Sequence, residues 1–185
     1  EEDSRNPDVE YGDSIEGDLS RRDFTVNSMA LELTTESPEF IDPFNGIEDL
    51  AQKVLRTPAS ATQSFSDDPL RMMRAARFAS QLGFTLDEEV VDAMRNMSGR
   101  ISIISAERVR DEFVKMLMSP NPRIGITILV DTGIAEHVLP EIPKLRLEID
   151  EHHHHKDVYE HSITVLEQAI KQEERLGGPN LINRL

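Results

Sequence analysis

The chain has no cysteine, few aromatic residues (5%) and less positive charge than negative. Without cysteine there is no disulfide framework, no thiolate metal site and no cysteine nucleophile. The same absence fits a reducing compartment, and the cytoplasm is the expected location. No apolar run approaches the roughly 20 residues that a membrane helix requires. The first ten residues, EEDSRNPDVE, lack the features of a signal peptide and read as if cut from a longer chain. Internal repeats are lacking too, and low complexity is confined to His152–His155. Against 35 Asp and Glu stand 20 Lys and Arg, a formal net charge of −15. Taken alone, that balance argues against nucleic acid, because phosphate binding is driven largely by Lys and Arg. Local clusters matter more than the sum, however, and the basic residues here are clustered.

What remains is enough to fold. The 185 residues, 38% hydrophobic and 30% charged, fit one large domain or two small ones. They are too rich in Leu, Ile, Val and Phe to be disordered throughout. Asp8–Ile15 reads as a strand and turn. Ser20-Arg21-Arg22-Asp23 reads as a helix start, a Ser cap with an acid three residues on. Glu39 to Gly46 reads as a short strand entering a turn, with Pro43, Asn45 and Gly46 as breakers. A short helix is expected over Ile47 to Lys53, then an extended VLRTP, since the residue before proline is pushed out of the α region.

From Ser66 the pattern becomes helical. Ser66 or Asp67 is the expected N-cap, and Pro69 is tolerated in the first turn. Leu70, Met73, Ala76 and Leu82 supply an apolar side, and Gly83 is the stop. Further helices are expected over 87–97 and from Ser105 to before Pro120, the latter with Val109, Phe113, Met116 and Leu117 on one face. Two more should cover 122–131 and 157–176, with Pro140 and Pro143 marking a joint. The fold class is therefore mainly α, a helical bundle from about residue 62.

The stretch Ser66 to Phe84 reads SDDPLRMMRAARFASQLGF, with arginines at 71, 74 and 77 behind a pair of aspartates. At about 100° per residue, positions 68, 71, 74 and 77 drift by about 60° a step and form one slowly spiralling stripe. Asp68 falls at the helix start, where the dipole favours an anion. The plain reading is an i, i+3 ion pair on a solvated face, contributing a few tenths of a kcal/mol. The sharper reading starts from the guanidinium. It presents a rigid fork of donors that matches phosphate oxygens or a base edge. An Asp beside it supplies acceptors, so Asp68 and Arg71 together can imitate the Watson–Crick edge of a base. Arg74 and Arg77, further along, could hold a triphosphate.

This stretch resembles the fourth motif of bacterial class II tRNA nucleotidyltransferases and poly(A) polymerases. Three other segments agree in order. DLSRRDFTVNSMA (Asp18 to Ala30) is similar to the second motif, and SAERVRDEF (Ser105 to Phe113) to the fifth. IDPFNGIEDLAQKVLRTP (Ile41 to Pro58) is similar to the stretch joining catalytic head to neck. The resemblance covers roughly residues 8 to 165. It implies the C-terminal part of an α+β nucleotidyltransferase head over 1–60, a nucleotide-reading helical neck over 61–148, and the start of a further helical domain over 149–185. It also implies that Asp68 and Arg71 read the base of incoming CTP or ATP, in place of a template strand. By the same resemblance Arg74, Arg77 and Arg22 contact the nucleotide, and Asp23 and Asn27 share the motif linked to ribose recognition. The implied reaction is attack of an RNA 3′-hydroxyl on the α-phosphate with release of pyrophosphate, assisted by two Mg²⁺ ions. The implied RNA partner is the acceptor end of tRNA or another RNA 3′ end, with Arg95, Arg100, Arg108, Arg110 and Lys115 as candidate phosphate contacts. CCA addition and poly(A) synthesis both remain open.

One departure from the family pattern bears on catalysis. The family's metal carboxylates lie in an Asp-x-Asp behind a Gly-Gly pair, and the only Gly-Gly here is Gly177-Gly178. Asp3, Asp8 and Asp13 lack the preceding glycine turn and do not substitute. The chain is therefore expected to keep part of a nucleotide pocket without transferase activity of its own. DVYEHSITVLEQA resembles the opening helix of an HD-type phosphohydrolase domain, in which His161 matches the first metal histidine; no His-Asp pair follows it. Two rivals stand beside the nucleotidyltransferase reading. One is a non-enzymatic helical interaction module whose arginines pair with neighbouring acids. The other is metal-dependent phosphohydrolase activity from the C-terminal segment.

Overall fold

The computed structural model describes residues 14–34, 36–147 and 158–184. Most of the strand and turn expected over Asp8–Ile15 lies outside the described residues, as do His152–His155 and Asp157.

Helix α1 (Ile15–Ser20) starts on Ser14, whose Oγ accepts from the Gly17 amide at 3.1 Å. The expected helix start at Ser20 is instead a helix end: the Ser20 hydroxyl donates back to the Gly17 carbonyl at 2.8 Å. Asp23 is not a capping acid, because arginines from a distant helix take its carboxylate. The chain turns through Arg21–Asp23 into a 3-10 turn at Thr25–Asn27. Strands β1 (Ala30–Glu32) and β2 (Glu39–Ile41) pair antiparallel, with Leu31 opposite Phe40. Asp42 then accepts from the amides of Gly46 (2.7 Å) and Ile47 (3.0 Å), which starts α2 (Gly46–Gln52). Strand β3 (Val54–Leu55) follows.

The expected cap at Ser66 or Asp67 is corrected. Those residues end a helix, α3 (Ala61–Asp67), and the next helix, α4, runs over Leu70–Leu82. Pro69 is the reason. Its ring disfavours the α region for the residue before it, and Asp68 is extended (φ −143°, ψ 100°). Asp68 then does the capping: its Oδ1 accepts from the Leu70 amide at 3.0 Å. Gly83, in the left-handed region at φ 67°, closes α4 as expected. Leu82 is exposed rather than apolar core, while Met72, Ala75 and Ala79 join Leu70, Met73 and Ala76 inside. Helices pack on α4 from two sides, which widens its buried face beyond one stripe.

Strand β4 (Thr85–Leu86) pairs parallel with β3, Val54 beside Thr85. Two residues are too few to leave a period in the sequence, and this strand was not expected. Helix α5 (Glu88–Met97) is capped by Asp87 and followed by a 3-10 turn at Ser98–Ile103. Then come α6 (Ala106–Leu117), α7 (Pro122–Asp131), α8 (Ala135–Val138) and α9 (Glu141–Lys144). The expected joint at Pro140 and Pro143 is a short break between α8 and α9, at Leu139 and Pro140. Pro140 caps α9 and Pro143 sits in its first turn, where a missing N–H costs nothing. Helix α10 (Val158–Gln172) and the short α11 (Leu181–Arg184) complete the chain. Among the described residues, no helix is long and apolar enough to cross a membrane.

Helix α4 sits at the centre, against α6 and α7. Gly125 of α7 permits the close approach: its amide donates to Ser80 Oγ at 2.8 Å, and an added Cβ would stand 2.3 Å from Met116 Sδ. Gly125→Ala is expected to lower stability by about 2 kcal/mol, the usual cost of overpacking a tight core contact; urea denaturation measures it.

The C-terminal helix is held by charge. Arg184, buried, donates to both carboxylate oxygens of Glu173 (2.6 and 2.5 Å) and to the Leu117 and Ser119 carbonyls at the end of α6. Hydrogen bonding from Arg184 holds the Glu173 carboxyl below the ordinary carboxylate range. A lowered folded value means stability present above the unfolded value of about 4.3 and lost as pH falls through the folded one. Hydrogen exchange should therefore show α11 loosening on the acid side, and Glu173→Gln should remove that acid step.

Candidate functional site

The turn after α1, the start of α4 and one face of α6 meet around the arginine stripe. Asp23 joins the first two. Its Oδ2 accepts from Arg74 Nε at 2.7 Å and from Arg74 Nη2, and its Oδ1 lies 3.5 Å from Arg71 Nε. Both Asp23 and Arg71 side chains are about 15% exposed, at 14% and 15%. Arg71 also donates through Nη1 to Ser64 Oγ at 2.8 Å and through Nη2 to the Arg21 carbonyl at 2.5 Å. A guanidinium has five N–H donors, so these contacts fix Arg71 without exhausting it. Its neighbour Ser64 lies on α3, so the group bridges the break between the two helices.

Asp68 and Arg71 do not form the i, i+3 ion pair of the plain reading; among the described residues none joins them. Asp68 turns to α6 instead, where its Oδ2 accepts from Arg108 Nη2 at 3.1 Å. Arg77 lies deeper. Its Nε donates to Glu112 Oε2 of α6 at 2.5 Å and its Nη1 to Gln81 at 2.7 Å. Its guanidinium also stacks 4.0 Å above the Phe78 ring, which stands edge-on to Phe24. The stripe thus divides. Arg71 and Arg74 face the turn after α1, whereas Arg77 is a buried strut between α4 and α6.

The remaining expected residues are held locally. Arg22, exposed, pairs with Asp18 at 3.0 Å. Asn27, also exposed, accepts the Phe24 amide at 3.2 Å and closes the 3-10 turn. Glu112 was not singled out from sequence, and Arg108 only as a phosphate contact. The signal was their i, i+4 spacing within SAERVRDEF, which puts both on one face of α6.

Comparison with known proteins extends over most of the chain. Residues 1–56 match the family described as "Poly A polymerase head domain". Residues 83–145 match "Probable RNA and SrmB- binding site of polymerase A". The CCA-adding enzyme of Lactobacillus helveticus is 41% identical over 74% of this chain and 34% of its own. The Multifunctional CCA protein of Hahella chejuensis is 37% identical over 92% of this chain and 40% of its own. Among solved structures, the Bacillus stearothermophilus CCA-adding enzyme in complex with CTP superposes with a TM-score of 0.67 at 37% identity, covering 71% of this chain and 33% of that one. A tRNA nucleotidyltransferase complexed with a primer tRNA and an incoming ATP analog gives 0.74 at 25% identity, over 95% and 49%.

The chain belongs to the class II tRNA nucleotidyltransferase and poly(A) polymerase family. It spans about a third of the length of the first of these curated relatives (34%). Among the described residues, no group of three or more His, Asp or Glu could hold an ion. His161 stands exposed on α10. The described residues do not fit a Mg²⁺ site. The candidate RNA contacts also have protein partners: Arg95 pairs with Asp92, Arg110 with Asp111 and Lys115 with Glu112, while Arg100 donates to the Ser66 carbonyl.

Asp23 is the shared counter-charge of two arginines. Asp23→Ala should leave both guanidinium groups unbalanced and lower stability by about 2 kcal/mol, a buried-pair value discounted for the partial exposure of Arg74. Urea denaturation measures the loss, and Asp23→Asn should cost less.

Proposed function

We propose that this chain is the nucleotide-selecting part of an RNA 3′-end nucleotidyltransferase that adds CMP and AMP from CTP and ATP to tRNA. The observation that carries the reading is the start of α4. There a pinned acceptor, Asp68, stands one turn from a fixed donor, Arg71, and each keeps some exposure, 34% and 15%. Cytosine and adenine each present an amine donor beside a ring-nitrogen acceptor. A carboxylate and a guanidinium complement that pattern, and guanine and uracil present the reverse. Arg74 follows on the same face and is suited to phosphate oxygens. In this proposal Arg22, Asp23 and Asn27 shape the neighbouring wall, and the division at about residues 60 and 148 separates head, neck and the following helices.

The names of the relatives favour CCA addition over poly(A) synthesis. The match to the Hahella protein covers 92% of this chain, so it takes in most of α10. An HD-type helix there, with His161 as its first histidine, belongs to the same proposal. The interaction-module reading draws support from Arg77, which is 8% exposed and committed to Glu112. It predicts no response to nucleotide at all.

Titration calorimetry of the chain with CTP, ATP, GTP and UTP separates these readings. CTP and ATP should bind in preference to GTP and UTP, and Arg71→Ala should abolish the preference at a cost of about tenfold or more in CTP affinity. Equal binding of all four, or an Arg71→Ala variant that behaves like the parent, would remove the nucleotide-reading assignment.

A further inference from the structure

An acceptor selects a base only if its lone pairs keep one direction. The backbone around Asp68 does not guarantee that, since the residue sits in the extended link between α3 and α4, outside both helices. Two donors do. The Leu70 amide binds Oδ1 at 3.0 Å and Arg108 Nη2 binds Oδ2 at 3.1 Å. A carboxylate offers about four lone-pair sites, so both oxygens are tethered while acceptor capacity remains for a ligand. A second arginine, Arg100, holds the end of α3 next to Asp68 through the Ser66 carbonyl at 3.1 Å.

The Arg108–Asp68 pair is a poor device for stability. Its side chains are 54% and 34% exposed, and ion pairs that open to water contribute little to folding. Four residues further along α6, Glu112 binds Arg77 with side chains only 5% and 10% exposed. That buried pair fixes α6 against α4. Arg108 is then presented one turn away, level with the break before α4, and what it controls there is the orientation of Asp68.

We propose that Arg108 is a positioning residue for base selection: it fixes the Asp68 carboxylate so that its free lone pairs favour a base offering an exocyclic amine. The proposal rests on the reading that Asp68 and Arg71 face the nucleobase. Without Arg108, Asp68 can turn about its side-chain bonds and loses its preference, whereas contacts to the triphosphate are untouched. Selectivity should fall while the affinity common to all nucleotides stays.

The test is calorimetric binding of CTP, ATP, GTP and UTP to the chain and to Arg108→Ala, Arg108→Lys and Arg71→Ala, with thermal melting of each. In Arg108→Ala the ratio of CTP to GTP affinity should fall about tenfold, the worth of one charge-assisted hydrogen bond. GTP affinity and melting temperature should hold. Arg108→Lys should recover most of the ratio, because the native contact uses a single N–H. An unchanged ratio in Arg108→Ala, with the ratio lost in Arg71→Ala, overturns the positioning role and leaves base reading standing. Equal loss for every nucleotide together with a lower melting temperature makes Arg108 merely structural and also overturns it. A parent chain that does not distinguish CTP from GTP removes the base-reading assignment and this proposal with it.

Discussion

The arrangement depends on the restraint that Pro69 places on Asp68. A proline ring crowds the residue before it out of the α region, so α3 must stop at Asp67 and α4 must restart at Leu70. One residue is left extended between two helix ends, with its carboxylate free of any helical position. The new helix offers unpaired N–H groups at its start, and Asp68 takes the one on Leu70. Had the helix run on through residue 68, Asp68 would point along a helix surface. Arg71 would then have no break to bridge toward Ser64. The same restraint thus sets the cap of α4, the height of Arg71 above it, and the gap that Arg108 reaches across.

From that start, charge is used in two ways that burial distinguishes. Arg77 with Glu112 and Arg184 with Glu173 have side chains 3–10% exposed and act as internal struts. Buried charge is tolerable only when its partner and its hydrogen bonds are in place. Both pairs comply, Arg184 by adding two backbone carbonyls. Asp68, Arg71, Arg74 and Arg108 are 15–54% exposed and keep contact with solvent. A chain of formal charge −15 can still present a local cationic face. Of the acids at the stripe, Asp23 pairs with Arg74, Glu112 with Arg77 and Asp68 with Arg108.

The helical bundle was legible because its signals are local. The helix starts near Asp87, Ser105 and Pro122 and the Gly83 stop each depend on chemistry within a turn, and each falls within a residue of its expected place. The break at residue 68 was written in Pro69 but misread as a first turn. Local rules allow both, and only the preceding helix, with Phe65 and Ala61 buried, decides between them. The partners of the arginines were not legible at all. Asp23 lies 51 residues from Arg74, and Glu112 lies 35 residues from Arg77. No periodicity links such pairs, and only recurrence of the motifs as a set showed that the segments belong together.

Helix α6 connects the parts that sequence could not. Its first turns carry Arg108 to Asp68, its middle carries Glu112 to Arg77, and the Leu117 carbonyl at its end, with that of Ser119 just beyond, receives Arg184. A helix with all three contacts cannot slide along α4 without breaking a buried charge pair, which costs far more than an exposed one. Its position is therefore set by the two buried arginines, and Arg108 inherits that position at the exposed end. This ordering gives an exposed and individually weak ion pair a firm base on one side. The stiffness comes from the buried contacts along the same helix, and the solvent-facing pair only expresses it.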